Sequence, residues 1–253
     1  MILTFTDFGA AGPYTGQMKA VLAQSAPGVP VIDLLADAPA CDPRAGAYLL
    51  AALAPAFPPG AVFLAVIDPG VGGARAPLIV EASGRVFVGP DNGLFEIAAR
   101  RAGGARRWRI DWRPERMSAS FHGRDLFAAV AARLARGDRP AAIPATPLVP
   151  AMGRPGAGWP DDLAEIVYID GYGNAMTGLR AGGLAEDAVL TAGGRPLHRM
   201  TTFEDAPPGA AFWYENANGL AEIAVNRGRA DDLLDLAVGT SVGVGDSTNA
   251  QYD

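Results

Sequence analysis

Short apolar runs alternate with amphipathic stretches over residues 1–136 of the chain. Runs of four to seven apolar residues between turn-forming residues are typical of buried strands, and a three-to-four-residue apolar spacing is typical of helices. The predicted strands are Ile2–Thr6, Val29–Leu34, Ala61–Ile67, Leu78–Ala82 and Arg85–Val88, and the predicted helices are Gly16–Ser25, Pro43–Leu53, Gly93–Arg101 and Gly123–Arg136. This alternation predicts an α/β domain, layered like a sandwich around a mostly parallel sheet.

The pattern changes after residue 136. Gly137–Asp162 is rich in proline and glycine, a composition typical of a linker. The following predicted elements are the strands Ala164–Ile169, Ala188–Thr191, Ala210–Glu215, Leu220–Asn226 and Ser241–Val244, with one short helix at Asp231–Leu236. We therefore expect an N-terminal α/β domain over residues 1–150, a linker over 151–162 and a smaller β-rich domain over 163–253.

Composition excludes several classes of protein. The chain has 253 residues and a formal net charge of −6, which argues against a general nucleic-acid binder. Cys41 is the only cysteine, and His122 and His198 are the only histidines. No intrachain disulfide can form, and a metal site built from cysteine or histidine is not expected. The N-terminus lacks the pattern of a signal peptide, so we expect a cytoplasmic protein.

An uncharged run from Ala45 to Ile67 is long enough to span a bilayer. However, Pro55, Pro58, Pro59 and Gly60 interrupt it near its middle. A helix, a turn and a strand, all part of a soluble fold, explain the run better, and no membrane association is expected.

Three polar positions in the first half are candidates for chemistry. Asp7 follows the first predicted strand, at the edge where α/β proteins bind ligands, although a turn or capping role is equally compatible. Asp68 follows a buried strand, and Arg75 closes the same glycine-rich loop, so the two can form a catalytic or a structural ion pair. His122 begins a predicted helix, where the helix dipole favours the neutral imidazole.

Two turns in the second half carry further candidates. Asp170 and Asn174 lie in one turn, and an Asn side chain can hydrogen-bond an adenine edge, but the segment also fits a simple hairpin. Asn216, Ala217, Asn218 and Gly219 form a hairpin signature. Ser241 matches a Gly-x-Ser-x-Gly pattern, but no histidine follows it, and the Gly70–Arg75 loop lacks the last glycine of a dinucleotide fingerprint. A serine hydrolase and a dinucleotide-binding protein are therefore rejected.

Taken together, these segments resemble the S-adenosyl-L-methionine (SAM) hydroxide adenosyltransferase family, whose relatives include the fluorinases and chlorinases. The matching stretches occur in the same order across both halves of the chain. They are Thr6–Gly9, Pro13–Lys19, Val66–Arg75, Val88–Leu94, Phe121–Asp125, Ile169–Asn174 and Asn218–Asn226.

The resemblance implies an α/β N-terminal domain, a β-barrel-like C-terminal domain and a homotrimer with active sites between subunits. It also implies an enzyme that hydrolyses SAM to adenosine and L-methionine, with SAM as a substrate and no cofactor or metal. The water-activating triad of the family falls on Asp68, Arg75 and His122. The implied substrate-binding residues are Asp7, Phe8, Tyr14, Asp170, Asn174, Phe203, Asn216, Ala217, Asn218, Asn226 and Arg227.

The chain departs from the family pattern on the methionine side, where Ala217 replaces a usual serine and Gly178 replaces a usual polar pair. Two alternatives are a halogenase that forms 5′-halo-5′-deoxyadenosine and a non-catalytic adenosine or SAM sensor. The resemblance implies that halogenases lack the Asp-Arg-His set, which this chain retains. A methyltransferase is disfavoured because its glycine loop is absent.

Overall fold

The computed structural model describes residues 1–148 and 153–246, with the side chain of the last residue excepted. The chain forms two compact units, Met1–Trp159 and Pro160–Asp253. Residues 149–152 and 247–253 lie outside the described part of the chain. These include the last two residues of the predicted first domain, the first two of the predicted 151–162 linker and the end of the predicted second domain.

The first unit contains seven strands and four α-helices in its described part. The strands are β1 (Ile2–Thr6), β2 (Val31–Leu35), β3 (Val62–Val66), β4 (Pro77–Ala82), β5 (Arg85–Pro90), β6 (Arg106–Ile110) and β7 (Ala145–Leu148). The helices are α1 (Pro13–Ser25), α2 (Pro43–Leu53), α3 (Glu96–Arg101) and α4 (Ala128–Ala135). Pro13 and Pro43 each stand in the first turn of their helices, where a missing N–H costs nothing.

All seven strands form one sheet, in the order β2-β1-β3-β5-β4-β6-β7. Strands β2, β1, β3 and β5 pair in parallel, whereas β4 pairs antiparallel with both β5 and β6, and β7 pairs antiparallel with β6. Five of the seven strands therefore point the same way, which confirms the predicted mostly parallel sheet. Strands β1 and β3 are fully buried, as expected for the centre of a sheet covered on both faces.

Two strands of this sheet were not predicted. β6 contains three arginines among its five residues, and Arg106 and Arg107 form ion pairs with Glu81 and Glu96. β7 contains Pro147 and lies in the proline-rich segment Gly137–Asp162, within the expected N-terminal domain over residues 1–150. An edge strand tolerates proline because one side of it donates no ladder hydrogen bond.

The second unit is built from antiparallel strands and one short helix. The strands are β8 (Leu163–Ile169), β9 (Ala175–Arg180), β10 (Ala188–Ala192), β11 (Arg195–Leu197), β12 (Ala211–Glu215), β13 (Leu220–Val225) and β14 (Gly243–Asp246), and the helix is α5 (Ala230–Leu234). They form a sheet ordered β12-β13-β9-β8 and a second ordered β11-β10-β14. Strands β9 and β11 were not predicted; β9 has a glycine at its centre, and β11 has only three residues.

Single bridges join the two sheets of the second unit at both edges. Glu165 on β8 pairs with Ser241 just before β14, and Arg199 just after β11 pairs with Trp213 on β12. These bridges link the outer strands of one sheet to those of the other, which gives the unit a barrel-like connectivity. Trp213 is fully buried inside it, and its indole nitrogen donates to the Ala188 carbonyl.

The packing of β9 against β8 explains the glycine at position 178. It pairs with Leu163 across β9 and β8, and a Cβ at this position would lie 2.6 Å from the Leu163 Cβ. Glycine at this position therefore permits the close approach of β8 and β9 in this chain.

Candidate active site

Two carboxylates lie at the same edge of the first sheet because adjacent parallel strands end there. Thr6 of β1 pairs with Val66 of β3, so Asp7 and Asp68 follow neighbouring strand ends. Asn92 holds this edge in place, since its side-chain amide donates to the Ile67 carbonyl at 2.8 Å. Asn92 belongs to the matching stretch Val88–Leu94, but the sequence does not predict its contact with the segment before Asp68.

Asp68, Arg75 and His122 form one contiguous group, as predicted. The Arg75 Nε lies 2.9 and 3.0 Å from the two Asp68 carboxylate oxygens, and Arg75 Nη2 also donates to Asp68 Oδ2. The same Nη2 lies 2.9 Å from His122 Nδ1. The Arg75 and Asp68 side chains are 9% and 5% exposed, so this ion pair is much less screened than a surface pair.

His122 is buried and accepts a hydrogen bond from Arg75. A guanidinium has only N–H donors, so His122 Nδ1 is the acceptor and the neutral ring carries its proton on Nε2. Burial, followed by the neighbouring Arg75 charge, lowers the pKa of His122 below 6.5. The sequence predicted a neutral imidazole because of the helix dipole, whereas in the structure burial is the principal cause. In this tautomer Nε2 is a donor that can orient a water.

The predicted helix at Gly123–Arg136 begins with a π-helical turn, Gly123–Phe127, and continues as α4. His122 is the residue immediately before this turn. The widened turn places the Phe127 ring under Arg75, whose guanidinium carbon lies 5.3 Å from the ring centroid. π-helical turns often occur at functional sites, and this one supports the arginine that joins the other two groups.

Gly72 fixes the path of the loop between Asp68 and Arg75. Its φ is +78°, and a Cβ at this position would lie 2.6 Å from the Ala119 carbonyl oxygen. Only glycine combines this left-handed backbone with so close an approach.

We expect Gly72→Ala to displace Arg75 and lower kcat by about tenfold or more, since small misplacements of catalytic groups have large effects. Gly70→Ala is the matched control, because a Cβ there meets only the Arg75 Cγ at an ordinary 3.6 Å. Equal kcat values for the two variants would show that the loop accommodates a side chain at position 72 without displacing Arg75.

A second expectation concerns the titration of His122. Its lowered pKa means that the neutral ring is favoured by folding, so its contribution to stability is complete above pH 6.5 and is lost as pH falls through the folded pKa. NMR titration of the imidazole resonances should give a midpoint below 6.5, with His198→Gln assigning the two rings. A midpoint above 6.5 would contradict the contact with Arg75.

The side chains of Phe8, Tyr14 and Phe121 form an aromatic cluster near the same sheet edge. Their ring centroids lie 5.2 to 6.2 Å apart in edge-on pairs. Tyr14 is 51% exposed, so the cluster presents an aromatic surface to its surroundings.

Asp7 is held by one backbone hydrogen bond, because the Cys41 backbone N–H donates to its Oδ2 at 2.9 Å. Its Oδ1 has no hydrogen bond within the described part of the chain.

The second unit holds a cavity of about 610 Å³, a size that suits a nucleoside-containing ligand. We call it the Tyr214 cavity. Four of the predicted binding residues line it, namely Asp170, Asn174, Phe203 and Arg227. The other lining residues are Tyr172, Tyr214, Val225 and Gly228. Phe203 packs edge-on against Tyr214 with the ring centroids 5.3 Å apart, which gives the cavity an aromatic wall.

Asp170 and Asn174 are tied together within their turn. Asp170 Oδ1 accepts from the backbone N–H groups of Tyr172 and Asn174, and its Oδ2 accepts from the Asn174 side chain at 3.3 Å. The turn interpretation of this motif is therefore correct, and both side chains also face the cavity.

Asn216 lies on a different cavity from Asp170. This cavity, also about 610 Å³, is lined by Glu186, Arg199, Met200, Thr201, Glu215 and Asn216, and we call it the Arg199 cavity. Asn216 Oδ1 accepts from the backbone N–H groups of Asn218 and Leu220, which closes the predicted hairpin turn. Ala217 is exposed at the turn and Asn218 is partly exposed.

Asn226 has a structural contact. Its side-chain amide donates to the Ala206 carbonyl at 2.6 Å, and it is not among the residues that line the Tyr214 cavity. Sequence reasoning also missed Tyr214 and Glu222 as parts of this region. Tyr214 and Glu222 face each other across the hairpin of β12 and β13. A lone acidic residue in a strand is usually solvated, so the sequence did not indicate this contact.

The described residues contain no group of three or more histidine, cysteine or acidic side chains that could hold a metal ion. No helix in the described ranges combines the length and apolar character needed to cross a bilayer.

The fold and the site define a class: a two-unit α/β protein with an Asp-Arg-His group at the carboxyl edge of its parallel strands. Residues 2–144 match the model of the SAM hydroxide adenosyltransferase N-terminal domain, and residues 164–243 match that of the C-terminal domain. The chain belongs to the SAM hydroxide adenosyltransferase family.

Named relatives and solved structures agree with this assignment. The chain is 40% identical to an (R)-S-adenosyl-L-methionine hydrolase of Salinispora arenicola, with 94% of this chain and 95% of the relative covered. It is 41% identical to an (R)-S-adenosyl-L-methionine hydrolase of Thermus thermophilus, with 94% of this chain and 96% of the relative covered. A crystal structure of an uncharacterized conserved protein from Thermotoga maritima superimposes with a TM-score of 0.87 at 27% identity, covering 97% of this chain and 100% of the other.

Proposed function

We propose that this protein hydrolyses SAM to adenosine and L-methionine by attack of water on the ribose C5′ carbon. The contiguous Asp68–Arg75–His122 group carries the proposal. The names of the two hydrolases, each about 40% identical over nearly the whole chain, support the same reaction. The intact polar group also argues against a halogenase or a non-catalytic sensor.

The main requirement of the reaction is activation of the nucleophile. Water oxygen forms a bond to C5′, the C5′–S bond breaks with its electrons moving to sulfur, and the leaving methionine is a neutral thioether. No general acid is required, but water is a weak nucleophile that must be oriented and lose a proton. Asp68 is the acceptor for that proton, Arg75 fixes the carboxylate, and His122 Nε2–H is the donor that orients the water.

The remaining residues hold the substrate in this proposal. Asp7 binds the ribose hydroxyls through its Oδ1, and Phe8 and Tyr14 provide an aromatic surface beside the ribose. Phe203 and Asn174 bind adenine in the Tyr214 cavity with Arg227 beside them, and Asp170 faces the methionyl group. Asn216, Ala217 and Asn218 bind the methionine carboxylate through the turn, whereas Asn226 acts through the backbone near adenine.

We further propose a homotrimer whose active sites combine the first unit of one subunit with the second unit of its neighbour. Exposed aromatic residues in both units support this assembly: Tyr14 is 51%, Tyr172 80% and Phe203 37% exposed. Light scattering of the purified protein should give a mass three times the 26.1 kDa subunit, and a monomer would contradict this proposal. The absence of a cofactor and a cytoplasmic location remain predictions.

Product analysis tests the proposed reaction. Purified protein incubated with SAM should release adenosine and methionine, both with and without chloride. Formation of 5′-chloro-5′-deoxyadenosine would indicate a halogenase, S-adenosylhomocysteine a methyltransferase, and binding without any product a sensor. Arg75→Ala, assayed in parallel, should lower the activity by about 10²-fold, which excludes a contaminating hydrolase.

A further inference from the structure

Glu222 is a buried carboxylate with neutral hydrogen-bond donors on both of its oxygens. The residue is 2% exposed. The Tyr214 hydroxyl donates to its Oε1 at 2.6 Å, and the Asn216 side-chain amide donates to its Oε2 at 2.6 Å. Within residues 1–148 and 153–246, no arginine or lysine forms an ion pair with it. A buried carboxylate without a counter-ion is costly for a protein to maintain.

The other buried glutamate in the described part of the chain, Glu96, is neutralised by arginine side chains. Glu96 is 1% exposed, and its oxygens accept hydrogen bonds from Arg154 at 2.8 and 2.9 Å and from Arg107 at 2.8 Å. Burial alone would raise the pKa of Glu96, but these arginines bring it below its usual value. Burial raises the pKa of Glu222, the hydrogen bonds from Tyr214 and Asn216 offset only part of this rise, and the nearby charge of Asp170 adds to it. Glu222 thus lacks the internal counter-charge that Glu96 has.

Glu222 contacts one wall residue of each of two cavities. Its partner Tyr214 lines the Tyr214 cavity together with Asp170, and its partner Asn216 lines the Arg199 cavity. One carboxylate therefore holds a wall residue of each cavity. Arg227 also lines the Tyr214 cavity, but it is exposed, so water screens its charge more than that of the buried Glu222.

We propose that Glu222 is a specificity-determining residue that makes the Tyr214 cavity favour a sulfonium ligand over its neutral thioether counterpart. The sulfonium of SAM supplies the positive charge that the folded protein does not place beside Glu222. The two hydrogen bonds keep Tyr214 and Asn216 in position while the carboxylate charge acts across the cavity wall. The inference rests on the proposed function, because it assumes SAM as the substrate.

The test compares the binding of SAM with that of S-adenosylhomocysteine, which has a neutral sulfur in place of the sulfonium. In the Asp68→Ala background, which slows turnover, SAM should bind about tenfold more tightly, the effect of one additional charge at intermediate dielectric. Glu222→Gln, which retains the shape and loses the charge, should lower this ratio several-fold, and the preference that remains is assigned to Asp170 on the cavity wall. Glu115→Gln removes an exposed charge and should leave the ratio unchanged.

Tyr214→Phe separates charge from hydrogen bonding. It removes one donor to Glu222 and keeps the carboxylate, so the SAM preference should persist even where both ligands bind more weakly. Equal binding of SAM and S-adenosylhomocysteine in the Asp68→Ala background would overturn the proposal, and this result does not depend on the folding of a Glu222 variant. An unchanged preference for SAM in Glu222→Gln would also overturn it. If the wild-type protein releases no adenosine from SAM, the hydrolase assignment fails separately, and the same binding ratios measured on wild-type protein still test Glu222.

Discussion

Asp68→Ala is expected to lower kcat for SAM hydrolysis by about 10²-fold or more, the usual effect of losing a general base. Asp68 is the one member of the group that can accept the proton of the attacking water, since His122 presents a donor and Arg75 has no acceptor. KM should change much less, because the proposed ribose and adenine contacts come from other residues. Steady-state kinetics with purified enzyme measures both parameters.

Asp68→Asn and Asp232→Ala are the controls for this variant. Asn retains the shape of the side chain and loses its basicity, so its kcat should fall nearly as far as that of Ala. Asp232 is exposed in the second unit, and its replacement should leave kcat unchanged. A kcat near the wild-type value in Asp68→Ala would remove this residue from the mechanism.

Arg75→Ala is expected to lower kcat by a similar factor, about 10²-fold. Its guanidinium contacts both Asp68 and His122, so its loss releases two groups at once. It also leaves the 5% exposed Asp68 carboxylate without its counter-charge, which should lower the melting temperature. Arg75→Lys tests geometry at constant charge, because an ammonium cannot reproduce the planar fork, and its kcat should remain low.

The double variant Asp68→Ala/Arg75→Ala distinguishes one catalytic unit from two independent residues. Groups that act together are strongly non-additive, so the double variant should have a kcat close to that of either single variant. A loss equal to the product of the two single effects would show that Arg75 acts on the reaction independently of Asp68.

The placement of Asp7 and Asp68 at one edge of the first sheet could be predicted from the sequence. Asp7 and Asp68 both follow apolar runs, and the carboxyl ends of adjacent parallel strands lie at one edge. The contact between Arg75 and His122 spans 47 positions in sequence, and residue patterns alone do not give such distances. The family resemblance supplied it, and the structure confirms it.

The second unit was harder to predict, for two physical reasons. Strand β9 contains Gly178, which lowers strand propensity but is required by the close approach of Leu163. The hydrogen bonds of Glu222 are made across a hairpin, where local sequence gives no sign of burial. Asp170 and Asn216 are both among the substrate-binding residues that the resemblance implies, and they lie on separate cavities, which a hairpin sequence cannot indicate.

Hydrolysis in ¹⁸O-labelled water tests the central proposal most directly. Attack of water on C5′ predicts adenosine with one ¹⁸O in its 5′-hydroxyl group and methionine with no label, both measured by mass spectrometry. 5′-Methylthioadenosine in place of adenosine would show that bond formation occurs elsewhere. Unlabelled adenosine in a single turnover would show that an enzyme oxygen, and not water, attacks C5′. Either result would contradict the roles given to Asp68, Arg75 and His122.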